Sequence, residues 1–436
     1  MNREYIESTL ELMDFIADSP SCFHAVSSAC RMLEDAGFKA LDEKEDWKLE
    51  KGSSYYVTRN SSALLAFTIP DCKAGDISGL SVISAHTDSP CFKIKENPEI
   101  SANDKYTTLN VEAYGGMIMS AWLDRVLSVA GRAFVRTKGR NGGICVEERL
   151  VNIDRDLCLI PNLCIHMNRD VNKGCEYKVQ KDMLPLVAQG FEKGSLNALV
   201  AQVLDVEESD VISSELFLYN RDSGRIWGLD NEFFSSPRID DLMCAFSAVK
   251  AITEAGISAS NRIRMVALFD NEEVGSSTKQ GAMSDFMYSA FGRIAETLKL
   301  SYQKQCALRA NGMMLSADNG HSFHPDRGEV NDPVNRPVMN GGVLIKYSGN
   351  QKYTTDAQSS AFLKVLLQDN GIPYQIYHNN SDYPGGSTLG NLSQRLFSLP
   401  CADIGAAQLA MHSPYESAGT QDTLHLIRFM TAFMEV

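Results

Sequence analysis

The chain predicts an α/β fold: a mostly parallel sheet flanked by helices, interrupted by an inserted β-rich domain. Three observations carry this. Short apolar runs alternate with roughly 10–15-residue helical patterns at both ends of the chain, as in a parallel sheet covered on both faces. Between about Cys91 and Ser236 the texture changes to short β-like runs separated by turns. The 436 residues are too many for one simple core, so two domains are expected: 1–90 with 237–436, and 91–236 between them.

The elements follow in order. Glu4 to Ala17 sets Ile6, Leu10, Met13 and Ile16 on one helical stripe, and Phe23 to Ala36 reads as a second helix closed by Gly37. Ser53 to Ile69 reads as a β-hairpin about Arg59-Asn60-Ser61-Ser62, and Leu80 to Ala85 as a short buried strand. Within the insertion, Tyr106–Val111, Gly115–Ile118, Gly142–Val146 and Glu215–Tyr219 have β character, while Asn168–Gly194 reads as a loop or arm. Beyond it, Leu242 to Ala255 is a helix stopped by Gly256, 262–269 is a strand, and a long helix ends near Leu300. Met313–Ser316, Val343–Lys346 and Tyr374–Tyr377 are strands. Asp356–Asp369, Gly386–Leu396 and a segment from about Gln421 are helices.

Composition narrows the function classes. A formal charge of 41 − 55 = −14 disfavours nucleic acid and anionic membrane surfaces as partners. No run approaches the ~20 apolar residues of a membrane span, and the N-terminus has no basic-then-apolar signal pattern. The 11 cysteines form no Cys-x-x-Cys pair, which fits a reducing cytoplasmic setting and argues against a disulfide framework or a thiolate zinc site.

The chemistry gathers at strand ends. The apolar run Ile263–Phe269 stops at Asp270-Asn271-Glu272-Glu273-Val274-Gly275, with no Lys or Arg until Lys279. Ionised carboxylates at the end of a buried strand need a counter-charge. A metal ion would supply it; otherwise the segment is a solvated turn. Two adjacent glutamates can divide the work, one ligating metal and the other moving a proton. In parallel sheets, ligand sites lie beyond the carboxyl ends of the strands. His86, Glu272/Glu273, Asp318 and His412 stand at such ends, and Asp240 just before a helix. Any one of them alone is more often structural, but five in this arrangement are hard to explain as accidents. Imidazole and carboxylate without thiolate suit zinc, cobalt or manganese in a hydrolytic site. Asp88, two residues after His86, either holds the second ring nitrogen of that imidazole or caps the following turn.

At these residues the chain resembles the M18 aminopeptidases, the aspartyl aminopeptidase-like two-metal exopeptidases. The matching segments are His86-Thr87-Asp88-Ser89-Pro90, Trp122-Leu123-Asp124-Arg125, Ile160-Pro161-Asn162-Leu163-Cys164-Ile165-His166, Arg238-Ile239-Asp240, Asp270 to Ser276, Ser316-Ala317-Asp318 with His321 and His324, Asn340-Gly341-Gly342 and Ala410-Met411-His412-Ser413. They span nearly the whole chain in order. One departure stands out: Asp241 follows Asp240 where the family usually has Asn.

The resemblance implies a zinc-exopeptidase type of fold in which the β-rich insertion mediates dimerisation. It also implies two divalent metal ions per subunit, zinc foremost with cobalt or manganese as alternatives. His86 and Asp318 would hold one ion and Glu273 and His412 the other, with Asp240 bridging; Glu272 would be general base and acid, and Asp88 the partner of His86. The substrate would be a peptide with an unblocked N-terminus, acidic Asp or Glu preferred. Because the protein as a whole is anionic, a local cation would then be needed, and Lys346 is the candidate unless it is an ordinary surface lysine; His321 and His324 are assigned to the substrate side. Dimers would build a larger homo-oligomer, a dodecamer. His166 would either reach a neighbouring subunit's cleft and stabilise the oxyanion or be an ordinary polar residue. Two rival readings remain: a carboxypeptidase or N-deacylase with the same metal pair, and a non-catalytic metal-stabilised scaffold. Glu272 beside Glu273 speaks against the scaffold, since a structural metal needs no spare base.

Overall fold

The computed structural model describes residues 3–138, 143–256, 260–383 and 385–436. The chain divides into two units. One comprises Met1–Asp88, Gly224–Met411 and Glu416–Val436; the other comprises Ser89–Ser223 with His412–Tyr415. The interruption therefore ends earlier than the expected Ser236. The reason is pairing at a distance: Arg225–Trp227 pairs with Phe233–Ser236, which in turn pairs with Glu416–Gly419 in a five-stranded sheet of the first unit.

The first unit is built on a nine-stranded sheet. Its strands in chain order are β1 (Lys39–Leu41), β2 (Ser54–Arg59), β3 (Ala63–Thr68), β4 (Leu80–His86), β5 (Ile263–Phe269), β6 (Met313–Ala317), β7 (Val343–Tyr347), β8 (Tyr374–His378) and β9 (Cys401–Gly405). Their spatial order is β1-β2-β3-β5-β4-β6-β9-β7-β8. The β1/β2, β5/β4, β4/β6, β6/β9 and β7/β8 pairs are parallel, while β2/β3, β3/β5 and β9/β7 are antiparallel. Every residue of β4 and β5 is buried, so both read as mainly apolar runs, and the one guanidinium among them, that of Arg264, donates to the Gly256 carbonyl at 3.0 Å. Alternate side chains feed two cores. Ile83, Ala85, Val266, Leu268 and Leu315 pack on one face with helices α1 (Arg3–Ala17), α2 (Cys22–Asp35), α3 (Ile239–Glu254) and α8 (Asp422–Glu435). Val82, Met265, Ala267, Phe269 and Met314 pack on the other with α4 (Phe286–Thr297).

Two helical expectations change in this unit. A further helix, α5 (Tyr302–Ala310), follows α4; the chain turns at Lys299 (φ 55°), and the Ser301 hydroxyl caps α5 by accepting from the Lys304 amide. The expected Gly386–Leu396 helix shrinks to α7 (Leu389–Ser393), because Thr388 is extended and gives its hydroxyl to the buried Asp403. The Asp356–Asp369 pattern forms α6 (Ala357–Asp369), with Asp356 and Ser359 closing a capping box.

The second unit is a seven-stranded antiparallel sheet: Val211–Asn220, Cys91–Ala102, Tyr106–Tyr114, Leu186–Gln189, Cys158–Leu159, Val126–Lys138 and Ile144–Asn152, in that spatial order. Val211–Asn220 also pairs with Val126–Lys138, so six strands close into a ring. Closure leaves Ile144–Asn152, which pairs only with Val126–Lys138 among the described residues, as the strand with an open ladder edge. At Gly131 a Cβ would lie 1.9 Å from the Glu215 carbonyl oxygen, so only glycine permits that pairing. Gly115–Ile118 is not a strand, since Gly115 turns with φ 76°. The Asn168–Gly194 segment contributes a short helix, Val179–Asp182, and the Leu186–Gln189 strand, and the helix Ser195–Leu204 follows it. Gly142 lies outside the described residues.

Candidate metal centre and active site

The parallel register of β4 and β5 sets Phe269 opposite His86, so both strands end at one level. The Thr87 amide donates to the Phe269 carbonyl at 2.9 Å and ties those ends together. On the other flank of β4, β6 ends at Ala317 and delivers Asp318. Asp240 and Asp241 arrive from the start of α3, where Arg238 turns the chain with φ 55°. The result is a group in which ligand atoms of His86, Asp240, Asp241 and Asp318 all lie within 4.8 Å of one another. His86, Glu272 and Glu273 form a second such group sharing the same imidazole. His86, Asp88, Asp240, Asp241 and Asp318 are buried, Glu272 and Glu273 partly so.

Second contacts fix these groups. Nδ1 of His86 meets the Asp88 carbonyl oxygen at 3.0 Å, so Nδ1 carries a proton and Nε2, which faces Asp240 at 3.6 Å, is the nitrogen that would turn to a metal. Asp88 thus holds the imidazole mainly through its backbone, with its carboxylate 3.4 Å away. That carboxylate also accepts the Glu272 and Glu273 amides, each at 3.1 Å, which aims both glutamates. Glu416 accepts the Asp240 amide at 3.0 Å and is itself held by Gln408.

Lys346 is not the surface lysine weighed in the sequence. It is 1% exposed, and its ammonium donates to the Asp318 and Asn319 carbonyls at 2.8 and 3.0 Å, with Asp318 Oδ1 at 3.8 Å. An incoming carboxylate would meet, at most, its remaining proton. His321 and His324 line a cavity of about 340 Å³ together with Tyr377, Gln408 and Leu409. His412 belongs to the 412–415 piece of the second unit; its Nδ1 donates to the Gly116 carbonyl at 2.6 Å, again leaving Nε2 as the ligating nitrogen. His166 is exposed on a turn of that unit.

The electrostatics describe a site short of positive charge. Burial pushes the Glu272 carboxyl up to about 8; the His86 charge opposes the shift, and Asp318, Asp88 and Asp240 add to it. Burial likewise raises Asp318, against the pull of Lys346, and holds Asp241 well above the usual carboxylate range. For His86, burial alone would lower the pKa, but Asp241, Asp240 and Asp88 more than offset it and hold the imidazole well above its ordinary value. Asp241 Oδ1 is buried with no hydrogen-bond partner. Carboxylates crowded against an imidazole, with an orphaned oxygen among them, fit divalent cations of the zinc class.

The sequence set Asp241 apart as an extra carboxylate beside Asp240 but did not assign it to the cluster, where the structure places it. It also missed Glu416, which had no local signal because its role depends on a distant strand.

Comparison with known proteins agrees with this chemistry. A family model for "Aminopeptidase I zinc metalloprotease (M18)" matches residues 15–434. "Probable M18 family aminopeptidase 2" of Clostridium novyi (strain NT) is 42% identical over 427 residues, covering 97% of each chain. Among solved structures, yeast aminopeptidase 1 (Ape1) is similar with a TM-score of 0.86 at 28% identity, over 98% of this chain and 97% of that one. The S. cerevesiae mApe1 dodecamer is similar with a TM-score of 0.87 at 28% identity, over 99% and 97%.

Proposed function

Because the chain belongs to the M18 family of zinc metalloproteases and is a metal-dependent aminopeptidase, we propose that it is a two-ion enzyme that releases N-terminal aspartate and glutamate from peptides. The observation that carries this reading is the gathering of His86, Asp240, Asp318, Glu272 and Glu273 where two parallel strands, a neighbouring strand and a helix start converge.

His86 and Asp318 would hold one ion, Glu273 and His412 the other, and Asp240 both. Ions held there would supply Lewis acidity toward the scissile carbonyl and toward the attacking water. Glu272 takes the proton from that water and returns it to the leaving amine; a carboxyl pushed toward neutrality suits both halves of that transfer. Asp88 supports the step by fixing the main chain of Glu272 and Glu273. His321 and His324 stand on the substrate side as hydrogen-bonding groups, and the remaining proton of the buried Lys346 ammonium supplies the local positive character that an acidic side chain needs in a chain of net charge −14.

The enzyme works as a homo-oligomer, in keeping with the dodecameric relative, and His166 donates to the oxyanion in a neighbouring subunit's cleft. A cytoplasmic setting accords with eleven cysteines that form no disulfide among the described residues. There too, no helix is long and apolar enough to cross a membrane.

Zinc-loaded protein assayed on aminoacyl-anilides should turn over Asp and Glu faster than Leu and should ignore N-acetylated substrates. Equal or better use of Leu removes the acidic preference. Turnover of N-blocked substrates bearing an unblocked carboxylate would move the reaction to the carboxypeptidase or N-deacylase class. For His166, mixed oligomers of His166→Ala and Glu272→Gln should recover activity that neither parent has. Verified heteromers that stay inactive exclude action across the interface.

A further inference from the structure

Asp241 is wholly buried at the first turn of α3, one residue past Asp240. One carboxylate oxygen, Oδ2, accepts the main-chain N–H of His86 at 3.1 Å. The other, Oδ1, has no hydrogen-bond partner, while the residue's ligand atom lies within 4.8 Å of those of His86, Asp240 and Asp318. The hydrogen bond alone does not explain a carboxylate here, because an asparagine side chain would accept the same N–H without bringing charge into a dry site. The nearest buried ammonium, Lys346, is engaged with the Asp318 turn. The nearby Cys244 thiol donates to Asn319 Oδ1 at 3.4 Å and also stands against the Asp241 carboxylate, but a thiol is a weak, uncharged donor and does not balance a buried charge. The positive charge that would balance the second oxygen is then that of the ion whose candidate ligands, His86, Asp240 and Asp318, lie beside it.

We propose that Asp241 is a positioning residue of the metal centre: Oδ2 sets the main chain of His86, and Oδ1 turns a further negative charge onto the ion at the His86–Asp318 position, tightening its hold on a divalent cation. The inference rests on the two-ion reading above and deepens it. Removal of supporting groups around metal ligands typically weakens binding by about 10–100-fold, and a lost charge at this range belongs in that band.

The test is Asp241→Asn, which keeps shape and acceptor but not charge. Zinc dissociation constants are read by competition with a chromogenic chelator, and stoichiometry by elemental analysis of the loaded protein. Asp318→Asn serves as the ligand control. The expected result is zinc binding weakened about 10–100-fold in Asp241→Asn, with the zinc-free fold retained by circular dichroism. Asp241→Ser, shorter and also uncharged, should weaken zinc in the same sense and stands in if the Asn variant does not fold. An affinity within about two-fold of the parent, while Asp318→Asn still loses an ion, overturns the role of Asp241 and leaves the two-ion reading standing. If Asp318→Asn also binds as the parent does, the two-ion reading itself falls.

Discussion

Replacing Lys346 with Met removes an ammonium but keeps most of the side-chain length. The ammonium makes two hydrogen bonds, at 2.8 and 3.0 Å, to the carbonyls of Asp318 and Asn319. Bonds from a charged donor contribute about 1.5–3 kcal/mol each, so the pair is worth roughly 3–6 kcal/mol. Breaking a buried charge pair from one side typically costs about 3–5 kcal/mol, which selects the lower part of that range. At about 2 °C per kcal/mol, a slope suited to a large unit, the melting temperature should fall by about 6–10 °C. The assay is thermal unfolding of EDTA-treated protein, so that metal binding does not mask the effect, followed by zinc stoichiometry after reloading. Asp318 shares its turn with the lost bonds, so zinc content should fall as well. A melting temperature within about 1 °C of the parent, with kcat/KM lost only on Asp- and Glu-anilides, would refute the structural reasoning and leave Lys346 a purely substrate-facing cation.

Other outcomes follow from the same geometry. Glu272→Gln should keep fold and zinc while losing most turnover, because an amide accepts no proton from water; Glu273→Gln should lose an ion, and elemental analysis giving the reverse pattern exchanges the two roles. His24, bonded to the Ser21 hydroxyl at 2.8 Å, is pushed down to about 4 by burial first and then by the Arg238 and Arg31 charges. The unfolded chain therefore takes up that proton first: the neutral ring's contribution is complete above pH ~6.5 and is lost as pH falls toward 4, about 3 kcal/mol in all. Denaturant titrations of zinc-free protein at about pH 7.5 and about pH 4.5 should show a pH effect smaller by that amount in His24→Gln, and equal slopes would exclude His24 as the source. Gly131→Ala should cost about 3 kcal/mol or more by forcing Cβ onto the Glu215 carbonyl, read as faster hydrogen exchange along Val126–Lys138; unchanged protection would show that the ladder yields.

What the sequence made legible was local. Leu80–Ala85 and Ile263–Phe269 announced themselves as buried strands because every position in them but Arg264 is apolar or small, and their polar ends marked His86 and Glu272/Glu273 for the cluster in which they now lie. The helix break at Lys299 was less visible, since its signal is a single left-handed residue without glycine. The true end of the interruption at Ser223 was hidden for another reason: Phe233–Ser236 takes its partner from Glu416–Gly419, and no local pattern encodes so distant a ladder. Lys346 reads as a strand-end lysine until the turn it supports is known.

The interruption of the first unit also has a consequence in time. His86 leaves the ribosome 318 − 86 = 232 residues before Asp318, a delay of about 10–50 s at ordinary translation rates of roughly 5–20 residues per second. Until Ile263–Phe269 is made β4 lacks both of its sheet neighbours, and until Met313–Ala317 is made it still lacks β6, whereas the ring of the second unit has all its strands once Asn220 has been made. The nascent chain thus shelters its proteolytic chemistry by chronology: the middle can fold while the ligands are still apart, and no competent cleft exists until synthesis is well past its midpoint.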